Sequence, residues 1–337
     1  MTERAVLEVL DGGMLTTVQD GGRPGWGHLG VPLGGACDPW GLAVANLVLG
    51  NPPTAPALET TAGGLVLRLH SPALLGIGGA DLGAVVRSNS RRLAPGASYR
   101  LAKGDELVFE GPPAGARGVR AYLALPGGLD VPIVLGSAST CLAGGFGGVD
   151  GRPLRGGDVI SPLADDPAAG VEHRLGTAQE TATPEPAEPP VVRILPGPDD
   201  RAAAARTALL AQTWRVGAEA DRMGIRLDGP TLPSAGPRDL PSHGVTWGTI
   251  QLPSDGRPIV LLADAQPTGG YPVVAVAISA DRPILGQLRP GEAVRFVETT
   301  ADTARGALLA ADARLGNAGD AMADAARWDA LWHEAGA

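Results

Sequence analysis

The sequence predicts a mainly β protein built from two barrel or sandwich halves, and three observations carry that expectation. Short apolar runs recur at turn-bounded intervals along most of the chain. Gly and Pro number 50 and 31 among 337 residues, a turn-rich composition that argues against a helical bundle. A polar, Pro-rich stretch at 163–190 has little to bury and divides the chain into halves of similar weight.

The strand candidates follow in order. They are Ala5–Leu10, Leu65–Leu69, Leu74–Ile77, Ala84–Val86, Glu106–Phe109 and Arg120–Ala124 in the first half. Val191–Leu195, Thr249–Leu252, Ile259–Leu262, Val273–Ile278 and Ala293–Val297 follow in the second. Three segments read as helix. Asp38-Pro39 supplies an N-cap with proline at the first helical position, and Gly50 supplies a stop. Asp200–Thr213 is Ala-rich behind Asp199 or Asp200 as cap, and Asp302–His333 offers two or three helical turns on each side of Gly316 and Gly319. The expected domains are 1–162, a linker or exposed loop at 163–190, 191–300, and a C-terminal helical tail at 301–337. Leu154–Ile160 and Leu288–Val294 resemble each other, and Lys103–Leu107 echoes both. This is either an internal duplication or a hairpin turn used three times.

Composition excludes several function classes. A net charge of −9 gives no electrostatic reason to bind nucleic acid. Lys103 is the only lysine and no P-loop precedes it, so any ATP is handled without that motif. Cys37 and Cys141 form no CxxC, and the five histidines are scattered, so no metal site is expected. No apolar run approaches the ~18 residues of a membrane span, and MTERAVLEVL carries charge rather than an apolar leader. A cytoplasmic location is expected.

Two Gly-rich stretches concentrate polar side chains. Residues 16–39 read TTVQDGGRPGWGHLGVPLGGACDP, and residues 242–272 read SHGVTWGTIQLPSDGRPIVLLADAQPTGGYP. Such loops expose backbone N–H groups and let a ligand come close. They point to a polar small-molecule site or to an interface with a partner.

Many words of the sequence, in order from Thr16 to Phe296, resemble the KipA-like carboxyltransferase-domain family, which includes allophanate hydrolase subunit 2 and the C-subunit of 5-oxoprolinase. They include Thr17–Arg23, Gly30-Val31-Pro32, Ala45-Asn46, Leu58-Glu59, Gly79-Ala80-Asp81, Leu135–Thr140, Gly197-Pro198, Asp221–Leu227, Ile250–Pro253, Asp264-Ala265-Gln266 and Thr268–Pro272. The resemblance implies two cyclophilin-like β-barrel domains with a few short helices. It implies one component of an ATP-dependent complex that opens 5-oxoproline to glutamate, inactive alone, with ATP as co-substrate. The implied partners are two further subunits, one KipI-like and one LamB-like. Two alternatives stay open: a non-catalytic regulatory protein that sequesters a KipI-like partner, and a carboxyltransferase subunit that receives carboxyl from biotin carried on another protein. Pro267 stands where the family usually has Thr, and Ser242-His243-Gly244 replaces the more usual Ser-Glu-Gly. A proline there removes a hydroxyl and a backbone donor.

The candidate catalytic residues are Asp264, Arg222 and Asp20. The candidate binding residues are Gln19, Arg23, Asn46, Glu59, Gln251, Gln266, Thr268, Gly269, Gly270 and Tyr271. Asp20 and Arg23 either hold an anion or pair with each other and pin the loop. Asn46 lies on the apolar stripe of its helix and is expected to brace a neighbouring loop. Glu59 is either a cap or a carboxylate reaching the site. Arg226 is expected to be a solvated strand residue. The neutral groups of Gln251, Gln266, Thr268 and Tyr271 suit orientation of an amide or ureido ring. Asp264 is either a general base or the opening of an Asx turn. Ser137 and Ser139 lie in a polar loop whose hydroxyls are candidates to face a phosphate.

Overall fold

The computed structural model describes residues 6–164, 172–173, 189–234 and 241–335, with side chains to residue 320 in the last helix. The protein is mainly β. One compact unit comprises Met1–Gly21, Pro39–Pro184 and Asp312–Ala337, and the other comprises Gly22–Asp38 and Glu185–Ala311. The division expected at 163–190 falls mostly outside the described residues. Residues 22–38 belong to the second unit although they lie early in the chain.

The first unit wraps two sheets around one core. The six-stranded sheet runs Val159–Ile160, Leu7–Gly12, Leu65–Leu69, Glu106–Phe109, Ala84–Val86 and Arg91–Arg92. The five-stranded sheet runs Leu15–Gln19, Ala57–Thr61, Arg120–Ala124, Ala73–Gly79 and Ala97–Leu101. A two-stranded ribbon bends from one sheet into the other. Leu7–Gly12 pairs with Leu65–Leu69 before the bend, and Leu15–Gln19 pairs with Ala57–Thr61 after it. Glycine makes the corner possible. Gly13 has φ +67°, and a Cβ there would lie 2.6 Å from the Gly63 carbonyl oxygen. Leu7, Val9, Leu58, Leu65, Leu67, Leu75, Ile77, Phe109 and Leu123 fill the space between the sheets.

The outer face of the five-stranded sheet carries the helix Pro39–Leu47. Gly76 and Gly78 admit it, because a Cβ at either would lie 2.1 Å from the carbonyl oxygen of Ala45 or Gly41. On the rim, Arg152 clasps Asp158 through Nη1–Oδ2 at 2.7 Å and Nη2–Oδ1 at 2.8 Å. The Arg152 hydrogen bonds hold the Asp158 carboxyl below the ordinary carboxylate range, against the cost of its partial burial. A carboxyl with a lowered folded-state pKa stabilises above its unfolded value and loses that contribution as pH falls through the folded one. The thermal stability of this unit is therefore expected to fall as pH drops below about 4. Asp158→Asn should flatten that part of the melt-against-pH curve, and an unchanged curve would remove the pair from the account.

The second unit is a closed barrel of seven strands, ordered Val191–Pro196, Val273–Ala277, Thr249–Gln251, Ile259–Leu261, Gly224–Asp228, Thr213–Val216 and Ala293–Glu298. Closure comes from the parallel pairing of Val191–Ile194 with Arg295–Glu298. Val192, Ile194, Trp214, Ile225, Leu227, Ile250, Val260, Val274 and Phe296 are its core. Asp199 caps the turn Asp200–Ala202 by accepting from the Arg201 amide, and the helix Ala203–Leu210 follows. That helix stops short of the expected Thr213, and the Trp214 indole donates to the Leu209 carbonyl at 2.9 Å. The last helix, Ala301–Ala335, runs through Gly316 and Gly319 without a break. A mid-helix glycine costs about 0.5–1 kcal/mol relative to alanine, which an Ala-rich helix absorbs. No helix among the described residues is long and apolar enough to cross a membrane.

Candidate functional site

Both Gly-rich segments contribute to the second unit. The strand Ile259–Leu261 leaves the barrel into Asp264, and residues 22–38 lie against that exit. The Gly34 amide donates to the Ala263 carbonyl at 3.0 Å, and the Arg23 amide donates to the Leu33 carbonyl at 2.8 Å. Arg222 joins the two segments. Its Nε and Nη2 donate to Asp264 Oδ2 and Oδ1, each at 2.8 Å, in a fork-to-fork pair. Nη2 also donates to the Gly35 carbonyl at 2.7 Å, and Nη1 lies 3.3 Å from Cys37 Sγ. Arg222 and Asp264 are both buried. The pair acts first as a clasp that holds 33–38 against the barrel end.

Beyond Asp264 the chain forms a small ribbon. His243–Gly244 pairs with Thr268–Gly269, and the Val245 amide donates to the Pro267 carbonyl at 2.9 Å. Pro267 Cβ sits 3.4 Å from where a Cβ of Gly27 would be, so this proline touches the other Gly-rich segment. Gln251 lies beneath the ribbon. It is 2 % exposed, and its amide nitrogen Nε2 has no hydrogen-bond partner. A Cβ on Gly269 would stand 2.4 Å from that nitrogen. Gly269 is outside the left-handed region, so closeness to Gln251, and not a special φ, explains the missing side chain. Gln266, Thr268 and Tyr271 are exposed, and Gly270 is half-buried. Arg23 is buried.

The other candidates lie in the first unit. Asp20 Oδ1 accepts from Ser137 Oγ at 2.6 Å and from Ser139 Oγ at 2.5 Å, while Oδ2 accepts from the Ala138 amide at 2.7 Å. Those hydroxyls, expected as candidates to face a phosphate, are committed to Asp20. Gln19 Nε2 donates to Thr17 Oγ1 at 3.0 Å. Asn46 braces a loop, as its place on an apolar helix face predicts. Its amide donates to the Ala55 carbonyl at 2.9 Å, and its oxygen accepts from Asn51 Nδ2 at 3.0 Å. Glu59 caps nothing. It lies within the strand Ala57–Thr61, fully buried, and accepts from the Tyr122 hydroxyl at 2.7 Å, with Arg120 Nε at 3.6 Å. Arg226 is exposed and pairs with Glu219 at 3.2 Å.

Sequence reasoning missed Cys37 as a neighbour of Arg222 and Tyr122 as the partner of Glu59, because neither spacing carries a signal. No group of three or more His, Cys, Asp or Glu among the described residues could hold a metal.

The pattern of the carboxyltransferase domain, subdomain A and B, family matches residues 29–298. The chain is 38% identical over 307 residues to the C-subunit of 5-oxoprolinase from Escherichia coli, covering 89% of this chain and 93% of that one. It is 30% identical over 327 residues to the urea amidolyase of Lachancea kluyveri, covering 89% of this chain but 17% of that much longer protein. The crystal structure of the K. lactis urea amidolyase superposes with a TM-score of 0.83 at 28% identity, over 94% of this chain and 20% of the other. The protein belongs to the carboxyltransferase domain, subdomain A and B, family.

Proposed function

We propose that this chain is one component of an ATP-dependent 5-oxoprolinase that opens 5-oxoproline to glutamate, and that the barrel end of its second unit handles the cyclic amide. One observation carries the reading: Arg222 fastens the two Gly-rich segments together, and Gln251, against Gly269 of one of them, holds a buried amide nitrogen with no hydrogen-bond partner among the described residues. A lactam presents one carbonyl acceptor and one N–H donor. The Gln251 N–H suits the carbonyl, and the exposed Gln266 and Thr268 side chains suit the ring edge. The near-full-length similarity to a protein named as the C-subunit of 5-oxoprolinase supports the same reading.

The reaction class is amide opening driven by phosphoryl transfer. The lactam oxygen takes the γ-phosphoryl group of ATP and ADP leaves. Water adds to the activated carbon, the ring C–N bond breaks as its nitrogen is protonated, and a second water hydrolyses the resulting acyl phosphate to glutamate and phosphate. This chain orients the ring and keeps the 33–38 segment closed on the barrel. ATP and the remaining chemistry come with KipI-like and LamB-like partners.

The similarity to urea amidolyases favours a second reading, carboxyl transfer from biotin on another protein. Substrate choice separates the two. The reconstituted complex should hydrolyse ATP with 5-oxoproline and not with urea, and should need no biotinylated carrier. Carboxylation of urea from a biotinylated carrier in place of lactam opening would establish the second reading.

A further inference from the structure

The end of the barrel that Arg222 clasps also carries a cation with no counter-charge among the described residues. Arg282 stacks over the Trp247 ring, with its guanidinium carbon 4.7 Å from the ring centroid. Among the described residues it makes no ion pair, and its Nε has no hydrogen-bond partner. The acid next to it, Asp281, is committed elsewhere. It accepts from the Arg193 amide at 2.7 Å and from the Arg193 guanidinium. Trp247 is 6% exposed, and its indole N–H is likewise without a partner. A cation drawn out of water is ordinarily paired, and a buried N–H is ordinarily satisfied. Here the two unmet donors belong to one stacked pair.

The strand pattern fixes where this pair sits. Trp247 precedes Gly248, whose amide donates to Leu261 and whose carbonyl accepts from Ala277, both at 2.8 Å. Leu261 leads out of the barrel to Asp264, and Ala277 leads out to Arg282. The helix bearing Arg282 abuts the segment that Arg222 holds. A Cβ on Gly286 would lie 2.0 Å from the Cys37 carbonyl oxygen, and Gln287 Nε2 donates to Asp38 Oδ2 at 2.7 Å. Burial lowers the Arg282 pKa from its ordinary value. An incoming anion would offset that desolvation.

We infer that Arg282, stacked on Trp247, is an anion subsite that takes the carboxylate of a small organic acid bound at this end of the barrel. A guanidinium offers a carboxylate two parallel N–H donors, and the indole both fixes its plane and adds cation–π stabilisation. Naming the acid as 5-oxoproline rests on the function proposed above.

The test titrates the full-length chain with L-5-oxoproline and with its uncharged carboxamide, followed by calorimetry. The wild type should prefer the carboxylate by about tenfold or more. Arg282→Gln should abolish the preference, Trp247→Phe should weaken it, and Arg282→Lys, which keeps charge without the fork, should fall between. An unchanged preference in Arg282→Gln overturns the inference. So does equal binding of acid and amide by the wild type, or binding of inorganic phosphate at Arg282 in place of 5-oxoproline. In reconstituted enzyme the same variant should raise KM for 5-oxoproline more than it lowers kcat. Turnover with a normal KM would sink the subsite and leave the 5-oxoprolinase reading standing. Arg282-dependent carboxylate binding without lactam opening would do the reverse.

Discussion

Arg222→Met is expected to cost about 3–5 kcal/mol, since it strands the buried Asp264 carboxylate without its partner. For a unit of this size that corresponds to a melting temperature lower by roughly 6–20 °C. The substitution also releases the Gly35 carbonyl, so residues 33–38 lose a direct tie to the barrel. Asp264→Leu should be about as severe, because it leaves the guanidinium buried and uncompensated. The double variant should recover much of the loss, since apolar groups replacing both members of a buried pair are often near neutral. A thermal-melt double-mutant cycle measures this directly. Losses that simply add would show that the two residues act separately.

The second large effect is on activity and leaves stability nearly intact. Gly269→Val places a side chain where the Gln251 amide now lies. Only the end of one side chain must move, so the melt should shift by no more than a few degrees. Lactam opening by the assembled enzyme should fall by about 10²-fold, in line with the cost of misplacing a substrate-orienting group by about 1 Å. Shortening the obstructed residue offers a check. Gln251→Asn in the Gly269→Ala background should restore part of the lost rate if room for the amide is what matters. A large melt loss with normal activity per folded molecule would reduce the loop to architecture.

Several strands of the first unit were legible because their apolar residues stand out between turns. Leu65–Leu69, Ala84–Val86, Glu106–Phe109 and Arg120–Ala124 lie where the pattern places them. Leu15–Gln19 was not legible as a strand. Thr16, Thr17, Val18 and Gln19 are all buried, so both faces are covered and no alternation shows in the sequence. Ala57–Thr61 is hidden for the same reason, since Glu59 and Thr60 are buried as well.

The site was legible only in its loops. Glycine clustering marked residues 16–39 and 242–272, but nothing local reveals that Arg222 would clasp Asp264, 42 positions away, and also reach Gly35. Nothing local in the sequence marks Arg282. Only the structure shows that Asp281 is engaged by Arg193.

The central claim is that this chain is an obligate part of a 5-oxoproline-opening enzyme. The most direct measurement is glutamate formed per ATP hydrolysed from 5-oxoproline, by this chain alone, by the proposed KipI-like and LamB-like proteins alone, and by all three together. Turnover is expected only from the complete set, with glutamate and ADP formed in equal amounts. Turnover by this chain alone, or full turnover by the partners without it, would contradict the account.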